Sequence, residues 1–195
     1  MSNQLAAFEE RKVEVNGVYY FMKTAGHSVN PLVLFIHGFP DSWYSWRHQL
    51  GTIAEAGYFA VAIDQLGYGE SAAPLEIERY SQDMLAQDLA DLIVQLGYES
   101  ALIVGHDLGA SLAWQLCLLH PERVQLIIAL SIPYGGRALT QPTVHMRKVF
   151  ADHFFYMLYF QEPGVAELEL EKDIRITLLK VFTISLYRLC GGGVF

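Results

Sequence analysis

Asp107 lies at the centre of Ala101-Leu-Ile-Val-Gly-His-Asp-Leu-Gly-Ala110, the stretch whose residue types best support covalent chemistry. Residues 101–104 read as a short buried strand and residues 110–119 as an apolar helix. Gly105 and Gly109 stand two residues on either side of Asp107. That spacing suits a nucleophile elbow, a sharp strand-to-helix turn that holds one reactive residue exposed and strained at its tip. Glycine is needed at both places because the strand and helix backbones crowd the turn and a Cβ would clash. The N–H groups that open the helix point towards the tip. With an aspartate there, the implied chemistry is attack by a carboxylate on carbon.

Other elements must carry that turn. Residues 12–15 and 18–22 flank Asn16-Gly17 and read as a hairpin. Residues 32–36 and 59–63 are continuous apolar runs of strand length, as expected for strands buried on both faces. Trp43, Trp46, Leu50 and Ile53 recur at helical spacing and predict a helix over 41–56. Ser81 is placed to cap a further helix, with Asp83 in its first turn, a stripe of Leu85, Leu89, Leu92, Ile93 and Leu96, and Gly97 as its stop. Residues 124–130 predict another buried strand. This alternation predicts an α/β fold with a mostly parallel sheet, right-handed crossovers and helices on both faces. Beyond Pro133 the rhythm breaks. Residues 153–160 are densely aromatic, Gln161-Glu-Pro-Gly164 is a turn, and 167–187 read as one or two helices. Leu178, Leu179, Phe182, Ser185 and Leu186 form their ragged apolar face.

The 195 residues are 52% apolar and 13% aromatic, which suits a globular chain able to bury a core. With 21 acidic against 13 basic residues the net charge is −8, which disfavours nucleic acid and anionic membranes as partners. Cys117 and Cys190 are far apart, with neither metal-ligand spacing nor a disulfide framework. No metal and no cofactor are expected. The first ten residues lack a signal-peptide pattern, no stretch of about 20 residues is uniformly apolar, and the final Gly-Gly-Gly-Val-Phe195 carries no retention or lipidation signal. The expectation is a cytoplasmic protein.

Three loops leave the carboxyl ends of predicted strands: His37-Gly-Phe-Pro40, Asp64-Gln-Leu-Gly-Tyr-Gly-Glu-Ser71 and the Asp107 turn. In open α/β sheets ligands bind at that edge. Taken with His37-Gly-Phe-Pro-Asp-Ser-Trp-Tyr-Ser-Trp-Arg47, Gly67-Tyr-Gly-Glu-Ser71 and Phe155-Tyr-Met-Leu-Tyr-Phe-Gln-Glu-Pro-Gly164, the sequence resembles the α/β-hydrolase superfamily. More narrowly it is similar to soluble-type epoxide hydrolases, over nearly all of its length.

The resemblance implies an α/β-hydrolase core over 1–133 and the start of a helical lid over 134–195. It implies that Asp107 opens a small hydrophobic epoxide and becomes an alkyl ester. Backbone N–H groups of Phe39 and Leu108 would form the oxyanion hole, with the Phe39-Pro40 bond commonly cis in the family. Tyr156, in the lid, would donate the proton to the epoxide oxygen. His37, Phe39, Trp43, Leu108, Tyr159 and Phe160 are assigned to the substrate side. His37 and His106 also read as hydrogen-bonded scaffold, Trp43 and Trp46 as helix core, and Asp64 as a carboxylate serving its own loop.

Where the family runs nucleophile, acid and histidine along the chain, the histidines after Asp107 are His120, His145 and His153, none in the family's place. The expectation is a chain that stops in or just after the lid, lacking the last core strands, the acid, the histidine and a second lid tyrosine. An open sheet edge would follow, able to pair with another chain or copy. Two alternatives stay open: a carboxylate-nucleophile dehalogenase, although Leu108 stands where the haloalkane type places tryptophan, and a catalytically inactive truncated form that acts only by binding.

Overall fold

The computed structural model describes residues 8–136, 140–151 and 153–189. The chain divides into two units, Met1–Tyr134 and Gly135–Phe195. In the first, β1 (Glu9–Val15), β2 (Val18–Ala25), β3 (Leu32–Ile36), β4 (Phe59–Ile63), β5 (Ala101–His106) and β6 (Val124–Leu130) form one sheet in the order β1-β2-β4-β3-β5-β6. The β1–β2 and β2–β4 pairs are antiparallel; β4–β3, β3–β5 and β5–β6 are parallel. Asn16 and Gly17 close the hairpin with φ of 49° and 80°, the left-handed pair that this tight turn requires.

Successive residues of the central strands serve opposite faces. Leu32, Leu34, Ile36, Val61, Ile63 and Ile103 pack with α2 (Gln82–Gln95) and α3 (Leu108–Leu119). Val33, Phe35, Ala60, Ala62 and Val104 pack on the other face with Trp46 and with Leu50 of α1 (Arg47–Glu55). Ser81 caps α2 by accepting the Met84 N–H, and Gly97, at φ 93°, follows its end.

Two expectations need correction. Residues 41–56 are not one α-helix: Trp43–Trp46 form a 3-10 turn, and α1 begins only at Arg47. The Ser42 side chain accepts the Tyr44 N–H, while the Trp43 N–H is drawn away to Asp64 at 2.8 Å, so the entry winds tightly. The strand expected to be buried at 124–130 forms, but Leu126, Ile128 and Leu130 remain 43–47% exposed. Among the described residues β6 pairs only with β5 and forms an edge of the sheet.

A buried polar cluster ties the hairpin to α2. Asp88, 1% exposed, accepts from the Tyr20 hydroxyl and Arg79 at 2.8 Å and from Asn16 at 2.9 Å. Three donors replace water around the charge, without which burial would be prohibitive. Burial, reinforced by the Asp88 charge, pushes the Tyr20 phenol well above the ordinary range.

The second unit carries α4 (Pro142–Val149), α5 (Tyr156–Tyr159), α6 (Val165–Leu170) and α7 (Ile174–Leu189). Leu178, Leu179 and Phe182 on α7 are 40–52% exposed, so the apolar face expected there is not covered at those positions. The side chains of Ser185 and Leu186, and the segment from Cys190 to Phe195, lie outside the described residues. Among the described residues, no helix is long and apolar enough to cross a membrane.

Candidate active site

Asp107 sits between β5 and α3 with φ 52° and ψ −121°. Positive φ is uncommon for a residue with a Cβ and costs about 1–3 kcal/mol when enforced. Close approach of backbones enforces it. A Cβ at Gly105 would stand 2.4 Å from the Gly109 carbonyl oxygen, and one at Gly109 would stand 2.3 Å from that of Ile36. The Asp107 carbonyl accepts the N–H groups of Ala110 at 2.9 Å and Ser111 at 3.1 Å, so the helix starts at once.

The 37–40 loop lies directly against the carboxylate. The Phe39 N–H donates to Asp107 Oδ1 at 3.1 Å. A Cβ on Gly38 would come within 2.4 Å of Asp107 Cβ, so glycine there lets the backbone reach the side chain. The Phe39-Pro40 bond is cis. Leu108, half-buried, opens α3, which puts its N–H among the helix's first donors. Asp107, Phe39 and Leu108 therefore converge at the carboxyl edge of the sheet.

His37 requires a correction. It is 0% exposed, its Nδ1 pairs with the Gly38 carbonyl at 2.7 Å, and its Nε2 accepts the Gln65 N–H at 3.1 Å. Both ring nitrogens are used by backbone, so His37 supports the loop and does not face a substrate. Burial lowers its basicity below the ordinary histidine value of 6.5, outweighing the backbone bond and the charges of Asp64 and Asp41. A neutral ring in the fold and a protonatable one in the unfolded chain make stability fall as pH drops below about 6.5, and the loss continues until the folded ring itself takes a proton. The thermal midpoint is expected to fall between about pH 7 and about pH 5 by more in the native chain than in a His37→Gln variant. Equal slopes in the two proteins would contradict this assignment.

Asp64 organises the neighbouring loop. It is 1% exposed, and its carboxylate accepts the N–H groups of Trp43 at 2.8 Å and Glu70 at 3.1 Å. A Cβ on Gly69 would collide with that carboxylate at 1.9 Å. Trp43 is half-buried against Phe8 and Tyr44, and the fully packed position belongs instead to Trp46, 6% exposed. His106, next to the elbow tip, has its Nδ1 3.9 Å from Asp41 Oδ2.

Tyr156, Tyr159 and Phe160 belong to the second unit, at α5 and its end. Tyr156 is 42% and Phe160 38% exposed, and their rings meet edge to face at 6.0 Å. The Tyr159 hydroxyl donates to Glu169 at 2.8 Å, and that bond raises its phenol. His120 caps the far end of α3, about 20 Å along the helix from Asp107 at 1.5 Å per residue. His145 and His153 lie in the second unit.

One residue near Asp107 is missing from the sequence-based set. Tyr68 meets the His37 ring edge to face at 4.9 Å and feels the charges of Asp107 and Asp41. Its place between Gly67 and Gly69, in a loop at the carboxyl edge, is the signal that could have found it.

An elbow aspartate, a backbone donor on its carboxylate and a glycine-rich neighbouring loop at the carboxyl edge of a parallel sheet define a class. The chain belongs to the alpha/beta hydrolase fold family, whose pattern matches residues 31–179. Within that family it is 45% identical over 177 residues to Epoxide hydrolase A of Mycobacterium tuberculosis, covering 91% of this chain and 55% of the relative. Its fold matches the crystal structure of Epoxide Hydrolase A from Mycobacterium thermoresistibile with a TM-score of 0.84 at 47% identity, covering 88% of this chain and 54% of that one. An epoxide hydrolase from Vigna radiata matches with a TM-score of 0.83 at 40% identity, covering 89% and 56%. The chain thus spans about half the length of these relatives.

Proposed function

We propose that this chain carries the alkylating half of an epoxide hydrolase, residues 1–133 acting as the core and 134–195 as lid. An Asp107 carboxylate oxygen attacks an epoxide carbon, and the ring C–O bond breaks. The released oxygen takes the Tyr156 hydroxyl proton, leaving a hydroxyalkyl ester on Asp107. A phenol proton at the leaving oxygen spares the reaction a free alkoxide. The Phe39 N–H, already 3.1 Å from Oδ1, is suited with the Leu108 N–H to hold the ester carbonyl when water attacks it.

The observation that carries the reading is the strained Asp107 backbone, φ 52°, with its carboxylate held by the Phe39 N–H. Similarity to proteins named epoxide hydrolases supports epoxide as the electrophile. The aromatic run at 153–160 favours an apolar one. Ester hydrolysis needs a base beside the water, and His120 is an α3 length away from Asp107. Mass spectrometry after exposure to styrene oxide is expected to find a stable adduct on Asp107 and no diol. Released diol would refute the missing hydrolytic step; a folded but unmodified chain would refute the nucleophile.

Among the described residues β6 pairs only with β5, and that edge suggests the partner reading. Between Val124 and Leu130 there is no charge and no proline, the usual protections of an edge strand. A second copy of this chain pairing there would cover Leu126, Ile128 and Leu130. Sedimentation velocity is expected to show self-association at micromolar concentration that Ile128→Lys reduces. A monomeric native chain would rule this out.

A further inference from the structure

We propose that Tyr68 is a positioning residue for the nucleophile, its ring bracing His37 so that the 37–40 backbone stays seated on Asp107. The inference rests on the reading of Asp107 as the reacting group.

The loop that presents Tyr68 is built around it. Gly67 and Gly69 flank it with φ of 81° and 53°, and Gly69 leaves the space that the Asp64 carboxylate fills. Tyr68 N–H donates to the Gln65 carbonyl at 3.0 Å, and the Tyr68 carbonyl accepts the Ser71 N–H at 3.1 Å. The Ser71 hydroxyl donates to the Asp64 carbonyl at 2.6 Å, closing the loop on itself. The side chain therefore projects from a backbone pinned on both sides. It ends edge to face on His37, with ring centroids 4.9 Å apart and planes inclined at 74°, a favourable geometry for two aromatic rings.

His37 passes that restraint on. The Gln65 backbone N–H donates to its Nε2, and the Gln65 side-chain amide donates to its carbonyl at 2.6 Å. With the Nδ1 bond to Gly38 these fix the ring within its own plane, and Tyr68, packed against it, resists a tilt out of that plane. The His37 Nδ1 is bound to the Gly38 carbonyl, and Gly38 lies so near Asp107 that a Cβ on it would stand 2.4 Å from Asp107 Cβ. A tilt of the ring therefore moves the Gly38-Phe39 peptide, and with it the N–H 3.1 Å from Asp107 Oδ1. Burial, with the charges of Asp107 and Asp41, pushes the Tyr68 phenol up to about 12. The phenol therefore stays neutral around neutral pH and adds no competing charge beside the nucleophile.

Two variants and two readouts test this. Tyr68→Phe keeps the ring and Tyr68→Leu keeps bulk without it. In the full chain, Tyr68→Leu is expected to slow styrene oxide adduct formation on Asp107 about tenfold, roughly 1.4 kcal/mol, and Tyr68→Phe less than about twofold. Independently of any reaction, nitrogen NMR is expected to find the His37 tautomer and the Phe39 amide shift unchanged in Tyr68→Phe and displaced in Tyr68→Leu. Native-like shifts in Tyr68→Leu, or displacement in both variants alike, would overturn the brace. If the native chain forms no adduct while the amide moves only in Tyr68→Leu, the brace stands and the reading of Asp107 falls.

Discussion

Replacing Asp107 with asparagine is expected to end covalent capture of styrene oxide while leaving the fold intact. The amide oxygen of asparagine is a far weaker nucleophile than a carboxylate oxygen, and alkylating it would place a positive charge on the amide. A loss of roughly three orders of magnitude in adduct formation corresponds to about 4 kcal/mol of activation free energy. The size and backbone preference of the two side chains are close, and asparagine keeps an oxygen able to accept the Phe39 N–H. The strain at φ 52° is thus carried over unchanged, and the thermal midpoint should stay near that of the native chain. Intact-mass spectra of the two proteins after equal exposure provide the measurement. An adduct of native yield in the variant would place the reacting group elsewhere, with Asp41 the nearest carboxylate in sequence to the 37–40 loop.

The second large effect is on stability. Gly109→Ala is expected to destabilise the first unit by about 3 kcal/mol, at the upper end for overpacking. The added Cβ would lie 2.3 Å from the Ile36 carbonyl oxygen and 2.4 Å from that of His37. Both are backbone atoms at the end of β3, and neither can rotate away as a flexible side chain would. Relief requires α3 to move off the sheet, which opens the Leu112, Ala113 and Leu116 contacts of the core and draws the 37–40 loop away from Asp107. For a chain of this size the thermal midpoint should drop by roughly 6–12 °C. Gly51→Ala in α1 is the control, since its Cβ would meet nothing within 4 Å. That change should stabilise the protein by about 0.5–1 kcal/mol through helix propensity. A Gly109→Ala protein as stable as the native chain would mean that helix and strand are not pressed together as described.

These two sites mark how far the sequence alone could reach. The apolar runs at 32–36 and 59–63 coincide with β3 and β4 because a strand buried on both faces must be apolar at every position, which reads directly from the residues. Ser81 and Gly97 bracket α2 through their own local chemistry. The glycines around Asp107 are legible for a similar reason: their spacing matters only within one turn. The same reasoning misjudged 124–130, because an apolar run does not say how many neighbours its strand has. It joined Trp43–Trp46 to α1 because helical spacing does not separate a 3-10 turn from the α-helix it leads into.

What the sequence by itself determined is local: the strands, the α2 caps, the hairpin turn and the elbow with a carboxylate at its tip. The Phe39 N–H followed from the family resemblance, and only the tertiary structure showed it on that carboxylate and showed what holds the loops around it. The Phe39 N–H comes from 68 positions away, the Gln65 N–H that holds His37 from 28, and the Trp43 N–H on Asp64 from 21. Periodicity and propensity are set by neighbours within a turn or a pleat, whereas these contacts arise because parallel strands bring three separate loops to one edge of the sheet. The same assembly turned His37 from a candidate for substrate contact into a buried support, and set the Tyr68 ring against it.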